Sequence, residues 1–306
     1  MSRLFLLFVA SFIGLLTISS AQAEVRVLTS IKPLQLIAAA VQDGVAVPEV
    51  LLPPGASPHN YALRPSDVRR VNQADLLYWI GPDMETFLPR VLASRTLPSI
   101  PVQSLPGMHL RHFTAGAAHD DGDEDEHDHD HRPGSLDAHL WLSSGNARVI
   151  AAKMAADLSV ADPDNGVRYQ SNAKTFSARL DATDAKIKAR VAGITDKKYF
   201  VFHEAFDYFE ETYGLSHAGV FTVSGEVQPG AQHVAEMRKR LAAFGKTCVF
   251  SEPPLRPRLA ETLSAGLPVK LAELDGLGGY TPATAQGYEQ LLQKLGDDLA
   301  GCLESL

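Results

Sequence analysis

The sequence predicts an α/β fold of two β/α lobes, each built around a parallel sheet, with one long helix between them. In both halves of the chain, short β-branched and apolar runs alternate with longer amphipathic segments, which is typical of βα units. A long polar helix pattern at residues 163–194 separates the two halves. Because ligands of such folds bind where strand ends converge, a site is expected in the cleft between the lobes.

The first 23 residues have the layout of a secretory signal peptide. Arg3 precedes an apolar run from Leu4 to about Ile18, and small residues follow as far as Ala23. The run is shorter than the roughly 20 residues that a spanning helix needs, and no basic stop-transfer cluster follows it. We therefore expect cleavage after Ala23 and a free periplasmic protein, since no cysteine follows the cleavage site to carry a lipid.

Residues 24–162 are predicted to form the N-terminal lobe. Strands are expected in VRVLTSI and PEVLLPP, and a helix is expected in LQLIAAAVQDG. A second helix follows in SDVRRVNQA, where Ser66 is the predicted N-cap and Asp67 lies in the first turn. The apolar run from Leu76 to Ile80 then predicts a buried strand.

The N-terminal lobe is interrupted by the run HDDGDEDEHDHDH at residues 119–131. Hydrophobic periodicity disappears between Pro106 and Pro133, and such a polar tract buries too little apolar surface to fold, so we expect a disordered loop over about residues 113–134. Its histidines are expected to bind metal weakly; they are His119, His127, His129 and His131.

The charge of the chain is concentrated in this run. The chain has 36 acidic and 28 basic residues, and eight of the acidic residues lie in the run. The rest of the chain therefore has equal numbers of acidic and basic residues. A nucleic-acid partner is not expected, because the chain lacks the basic excess that such binding uses.

Residues 163–194 are predicted to form the connecting helix. Apolar residues at spacings of fours and sevens mark its buried face, namely Tyr169, Phe176, Leu180, Ile187 and Val191. Residues 195–306 repeat the strand and helix alternation and are predicted to form the C-terminal lobe. Its strand-containing segments are KYFVFHEAFDYFEETYGL, AGVFTVSG, CVFSEP and VKLAELDGLGG, and its helices are expected near residues 231–244, 257–265 and 284–303.

Three histidines outside the polar run follow strand-like segments, where side chains line a cleft. They are His59 in LLPPGASPHNY, His139 in LDAHLWLS and His203 in YFVFHEAF. Three neutral imidazoles suit Zn²⁺ and leave a fourth position for water or a carboxylate. Asp275 in LAELDGLGG also follows a strand and is the candidate fourth ligand.

Enzyme templates fit the sequence poorly. His203-Glu204 begins like the zinc-protease motif H-E-x-x-H, but the fifth position is Asp207, so the second histidine is absent. The sequence contains no nucleophile-elbow, P-loop or dinucleotide-binding fingerprint. An exported zinc hydrolase, with Glu204 as its general base, stays open as an alternative.

These residues lie in long segments that resemble the periplasmic solute-binding proteins of zinc-uptake ABC transporters, the ZnuA type. The segments are PPGASPHNYALRPSDVRRVNQADLLYWIGPDMETFL, DAHLWLSSGNA, FVFHEAFDYFEETYGL, FTVSGEVQPGAQHVAEMRKRL, CVFSEPPLRP and LDGLGG. The place and composition of the histidine-rich run also resemble those of zinc-specific members. The resemblance implies two lobes bridged by a rigid helix, with the metal held in the cleft.

The resemblance also implies roles for individual residues. His59, His139 and His203 would be the ligands, and a histidine at position 203 favours zinc over manganese, because manganese relatives carry a carboxylate there. Asp275 matches the family's carboxylate ligand, although water takes that role in some members. Pro58 precedes His59 where some zinc members carry glutamate, which gives more weight to Asp275 or water.

The chain has two cysteines, and an oxidising compartment favours one disulfide over two buried thiols. The resemblance implies that this bond joins the strand at Cys248 to the C-terminal helix at Cys302.

The expected function is high-affinity capture of Zn²⁺ in the periplasm and its delivery to an ABC permease, by a monomer that is not an enzyme. A periplasmic zinc metallochaperone is a further expected partner. A manganese- or nickel-binding protein on the same scaffold is the main alternative. An adhesin-like surface role is a more distant one, against which the missing lipidation cysteine argues.

Overall fold

The computed structural model describes residues 24–113, 134–222, 231–253 and 258–306. The predicted signal peptide and the histidine-rich run lie outside these ranges, and so do His119, His127, His129 and His131. Among the described helices, none is both long enough and apolar enough to cross a membrane.

The first sheet is parallel, and within the described residues its strand order is β2-β1-β3-β4. The elements of this part are β1 (Val27–Thr29), α1 (Lys32–Val41), β2 (Glu49–Val50), α2 (Pro65–Gln73), β3 (Leu76–Trp79), α3 (Pro89–Leu92) and β4 (Ser99–Pro101). Every residue of β1 and β3 is buried. The continuous apolar runs therefore form central strands that are covered on both faces.

Helix α2 begins one residue earlier than its predicted cap. Arg64 is the N-cap residue and Pro65 is the first helical residue, a position that proline favours because the N–H it lacks would have no intrahelical partner. The Asp67 carboxylate accepts a hydrogen bond from the Arg64 N–H at 2.9 Å. Asp67 lies in the first turn as predicted, but the prediction that Ser66 caps the helix was wrong.

A short antiparallel pair joins the chain segments on either side of the predicted loop. Strand β5 (Arg111–His112) pairs with β6 (Leu136–Asp137). Beyond the pair, the Phe113 N–H donates to the Ser135 carbonyl at 3.0 Å, and the Gly134 N–H donates to the Phe113 carbonyl at 2.7 Å. Regular pairing therefore reaches residues 111–112, a segment without hydrophobic periodicity, and the loop predicted for about residues 113–134 begins only after it.

Two long helices follow the first sheet in the chain and precede the second; they are α4 (Ser144–Ala161) and α5 (Gly166–Val191). They pack against each other. The Ser143 side chain caps α4 by accepting the Asn146 N–H at 3.2 Å. All five apolar positions predicted for the long helix are buried in α5. The heptad-like spacing thus identified the packed face of the helix correctly.

The second sheet is also parallel, and its described strands have the order β10-β9-β7-β8. Its elements are β7 (Phe200–His203), α6 (Asp207–Tyr213), β8 (Gly219–Thr222), α7 (Ala231–Phe244), β9 (Thr247–Ser251), α8 (Arg258–Ser264) and β10 (Val269–Glu273). Two parallel sheets and a long helix confirm the predicted α/β fold class.

The last helix, α9 (Gly287–Glu304), packs against both α1 and α5. A Cβ atom on Gly287 would lie 2.5 Å from the Pro282 carbonyl oxygen, so the turn before α9 leaves no room there for a larger residue. Cys302 on α9 forms a disulfide with Cys248 on β9, with a Cα–Cα distance of 6.3 Å. The predicted disulfide is confirmed, and it fastens α9 to the second sheet.

Candidate metal centre

The three histidines selected from the sequence meet in one cavity between the sheets. His59 lies in the loop between β2 and α2, His139 follows β6, and His203 is the last residue of β7. The parallel strands β2 and β7 deliver their side chains at their carboxyl ends, which is where ligands of such sheets bind. Three histidines that each end or follow a strand in the sequence are therefore neighbours in space.

The imidazole rings are close enough to share one ion. One ligand nitrogen from each ring lies within 4.8 Å of the others, and the Nε2 atoms of His59 and His139 are 3.3 Å apart. Two nitrogen ligands of a tetrahedral zinc ion at about 2.0–2.1 Å would lie about 3.3–3.4 Å from each other. The spacing of this pair thus matches zinc ligation without rearrangement.

His139 is oriented by the carboxylate of Asp137. Its Nδ1–H donates to Asp137 Oδ1 at 2.9 Å, and its backbone N–H donates to the same oxygen at 3.0 Å. With its proton on Nδ1, the imidazole carries its lone pair on Nε2, the atom that faces His59. Both side chains are buried, with exposed fractions of 3% and 1%.

Burial raises the pKa of the Asp137 carboxyl well above its ordinary range, and the nearby carboxylates of Asp207 and Glu204 raise it further. The backbone hydrogen bond from His139 and the charge of Arg111 oppose this shift. Positive charge added to the His139 ring would stabilise the ionised form of this buried carboxyl group.

His203 is held in the same way by Glu252. Its Nδ1 lies 2.9 Å from Glu252 Oε1, and the Glu252 side chain is 30% exposed against 7% for His203. Neither carboxylate was among the site residues predicted from the sequence. Asp137 stands two residues before His139, and Glu252 follows strand β9, so the strand-end criterion applied to acidic residues would have found the second.

Asp275 lines the same cavity, two residues after β10. Its Oδ1 accepts the Leu277 and Gly278 N–H groups at 3.1 and 2.7 Å, and its Oδ2 accepts the Gly279 N–H at 2.9 Å. Burial raises its pKa above the ordinary value. The ligand atoms in this cavity that lie within 4.8 Å of one another belong to the three histidines and do not include those of Asp275. The role of Asp275 as the fourth ligand therefore stays a prediction.

Trp141 connects the segment of His139 to the turn that carries Asp275. Its indole Nε1–H donates to the Gly276 carbonyl at 2.8 Å, and its ring packs against His139 with centroids 5.4 Å apart. Gly278 in that turn has a φ of +61°, a left-handed conformation that favours glycine. Trp141 therefore fixes His139 relative to the turn that carries Asp275.

Glu204, the general base of the hydrolase alternative, does not line the metal cavity. It is buried, with an exposed fraction of 5%, and its charge acts on Asp137, Asp207 and His217. The cavity therefore offers imidazoles to an ion but does not present this carboxylate to a zinc-bound water.

Comparison with known proteins decides the family. The model of the family described as ZnuA, zinc-uptake complex component A, periplasmic, matches residues 27–302. The chain belongs to the ZnuA family. The high-affinity zinc uptake system protein ZnuA of Yersinia pestis is 38% identical to it over 293 residues, which cover 92% of each chain. The family predicted from the sequence is therefore confirmed.

Solved structures share the ZnuA fold seen here. A crystal structure of ZnuA superposes with a TM-score of 0.71 at 22% identity and covers 89% of this chain and 98% of its own. The solute-binding protein FpvC from Pseudomonas aeruginosa, in complex with Mn²⁺, superposes with a TM-score of 0.76 at 23% identity. That match covers 92% of this chain and 99% of FpvC.

Proposed function

We propose that the protein captures Zn²⁺ in the periplasm with His59, His139 and His203 and delivers the ion to an ABC permease for import. Membership of the ZnuA family supports periplasmic zinc uptake and a permease partner. The observation that carries the assignment of the site is the convergence of three imidazoles, with one ligand nitrogen from each within 4.8 Å of the others.

High affinity follows from ligands that are arranged before the ion arrives. Asp137 and Glu252 already hold the rings of His139 and His203 through Nδ1. Binding then loses little side-chain entropy, because buried and hydrogen-bonded rings have few rotamers left to lose. Release requires the permease to move the ligands apart, since they come from segments that belong to different sheets.

The fourth position of the zinc ion is assigned to Asp275 or to water. Three backbone N–H groups already occupy the Asp275 carboxylate, which has about four lone-pair directions in total. One lone-pair direction therefore remains for a metal. An Asp275→Asn variant that binds zinc as tightly as the parent would assign the position to water.

The test of the site is zinc titration of His59→Ala, His139→Ala and His203→Ala, with His112→Ala as the matched control. His112 is an exposed histidine of strand β5. Each of the first three variants should lose the tightest zinc ion, and the control should keep it. If all four proteins bound the first ion equally, the three-histidine site would be excluded.

The metal alternatives are separated by the nature of the ligands. Imidazole nitrogen binds zinc much more strongly than manganese, so zinc should raise the melting temperature far more than manganese at equal concentration. The Mn²⁺ complex of FpvC makes this comparison necessary, because that protein shares the fold. Nickel lies close to zinc in affinity for nitrogen and is distinguished by direct competition.

Several finer assignments belong to the same proposal. Residues 1–23 are removed as a signal peptide, which the mass of the exported protein would show. The mature protein acts as a monomer without enzymatic activity and receives zinc from a periplasmic metallochaperone. The histidine-rich run binds further zinc weakly, and its deletion should spare the tight ion.

A further inference from the structure

A second group of metal-ligating side chains lies on the C-terminal side of His203. Asp207, Glu210 and His217 each offer one ligand atom, and these atoms lie within 4.8 Å of one another. Asp207 and Glu210 are three residues apart on α6, a spacing that places both carboxylates on one face of the helix. His217 reaches them from the turn between α6 and β8.

The carboxylate of Glu210 is held in position by its neighbours. Tyr199 donates its hydroxyl hydrogen to Oε1 at 2.7 Å, and His217 Nδ1 lies 3.0 Å from each carboxylate oxygen. The side chains of Glu210 and His217 are only 6% and 12% exposed. Glu210 and His217 are therefore buried and held in place by polar contacts.

Asp207 is held less completely. Its Oδ1 accepts a long hydrogen bond of 3.4 Å from Arg111, whereas its Oδ2 is buried and has no hydrogen-bond partner. A buried carboxylate oxygen without a donor is costly and uncommon in folded proteins. A bound cation would satisfy that oxygen. The Asp207 side chain as a whole is 19% exposed, so the group lies near the surface although this oxygen is buried.

The charges around the group also favour a cation. The carboxylates of Glu204, Glu210 and Asp137 outnumber the opposing Arg111 guanidinium, which acts on the same region. Burial raises the pKa of Asp207 to about 6, and the charge of Glu210 adds to the shift. A further buried carboxylate oxygen without a partner, Oδ2 of Asp137, lies among these interacting acids.

We propose that Asp207, Glu210 and His217 form a second divalent-cation site that holds one zinc ion more weakly than the three-histidine site. One imidazole and two carboxylates suit a first-row divalent ion such as zinc. Affinity is lower because one nitrogen replaces three, and because the ion must displace the hydrogen bond between His217 and Glu210. This site does not depend on the three-histidine assignment.

The test counts zinc ions on the full mature chain by equilibrium dialysis with excess zinc. Asp207→Asn preserves the side-chain volume and an oxygen for Arg111, and His217→Ala removes the nitrogen ligand. Both variants should bind one zinc fewer than the parent and keep its tightest ion. His112→Ala, which removes an exposed histidine, should match the parent.

Diffraction at the zinc absorption edge should show an anomalous peak between Asp207 and His217 in zinc-loaded crystals of the parent, and no peak there in Asp207→Asn. Equal zinc counts in the parent and both variants would overturn the proposal. So would the absence of the peak in the parent, or loss of the tightest ion from Asp207→Asn, which would show an effect on the fold. Should His217→Ala fail to fold, Asp207→Asn alone decides.

Discussion

Removal of the Asp137 carboxylate should weaken zinc binding although Asp137 is not a proposed ligand. Asp137 Oδ1 accepts both the Nδ1–H and the backbone N–H of His139. In Asp137→Ala the ring loses the contact that orients it and that fixes its proton on Nδ1. Loss of such a partner typically lowers metal affinity by about 10–100-fold, which corresponds to about 1.4–2.7 kcal/mol.

The structure ranks the two supporting carboxylates. Asp137 is 1% exposed and Glu252 is 30% exposed, and solvent weakens an electrostatic contact. Asp137→Ala should therefore approach a loss of about 100-fold, whereas Glu252→Gln should stay near about 10-fold. Asp137→Asn keeps an acceptor oxygen but loses the charge, so its affinity should fall between those of the parent and Asp137→Ala.

The assay is zinc titration in competition with a chelator of known affinity, which measures tight binding accurately. Asp162→Asn is the matched control, because Asp162 is a buried carboxylate that accepts the Tyr169 hydroxyl far from the metal cavity. Parent-like zinc affinity in Asp137→Ala would refute the argument that the orientation of the His139 ring by Asp137 sets the affinity. A larger loss in Glu252→Gln than in Asp137→Ala would refute the ranking by burial.

Two further predictions concern stability. Replacing Cys248 and Cys302 with serine should lower the free energy of unfolding, measured by urea denaturation, by about 4 kcal/mol, since the disulfide closes a loop with a sequence separation of 54 residues. Parent-like stability would show that the disulfide does not stabilise the fold. Burial raises the pKa of Glu85 from 4.5 to about 7, so its stabilising contribution is complete below about pH 4.5 and is lost as the pH rises through about 7. Between about pH 4.5 and 8, the free energy of unfolding of Glu85→Gln should therefore rise by about 3 kcal/mol relative to that of the parent. The same pH dependence of stability in both proteins would contradict this.

The three candidate histidines could be selected from the sequence because buried parallel strands are continuous apolar runs. FVFH shows its strand directly, and His203 stands at its end. The same principle applies to Asp275 after VKLAE. Strand position and the carboxyl-end rule together bring residues from distant parts of the sequence into one cavity.

Other features left no periodic signal. Strands β5 and β6 have only two residues each, too few to show alternation. The partnership of His203 with Glu252 requires that β9 lie beside β7, and strand order is not written in the hydrophobic pattern of either strand. At α2, the preference of Pro65 for the first helical position outweighed the capping preference of Ser66.

Helix α9 has a consequence for the order in which the chain can fold. It packs against α1 near the beginning of the mature sequence, and the Tyr288 hydroxyl donates to the Trp141 carbonyl, two residues beyond His139. A chain that emerges from its N-terminus therefore leaves apolar surface of α1 uncovered until its last twenty or so residues arrive. The segment that carries His139 therefore gains the Tyr288 hydrogen bond only once the C-terminal helix is in place.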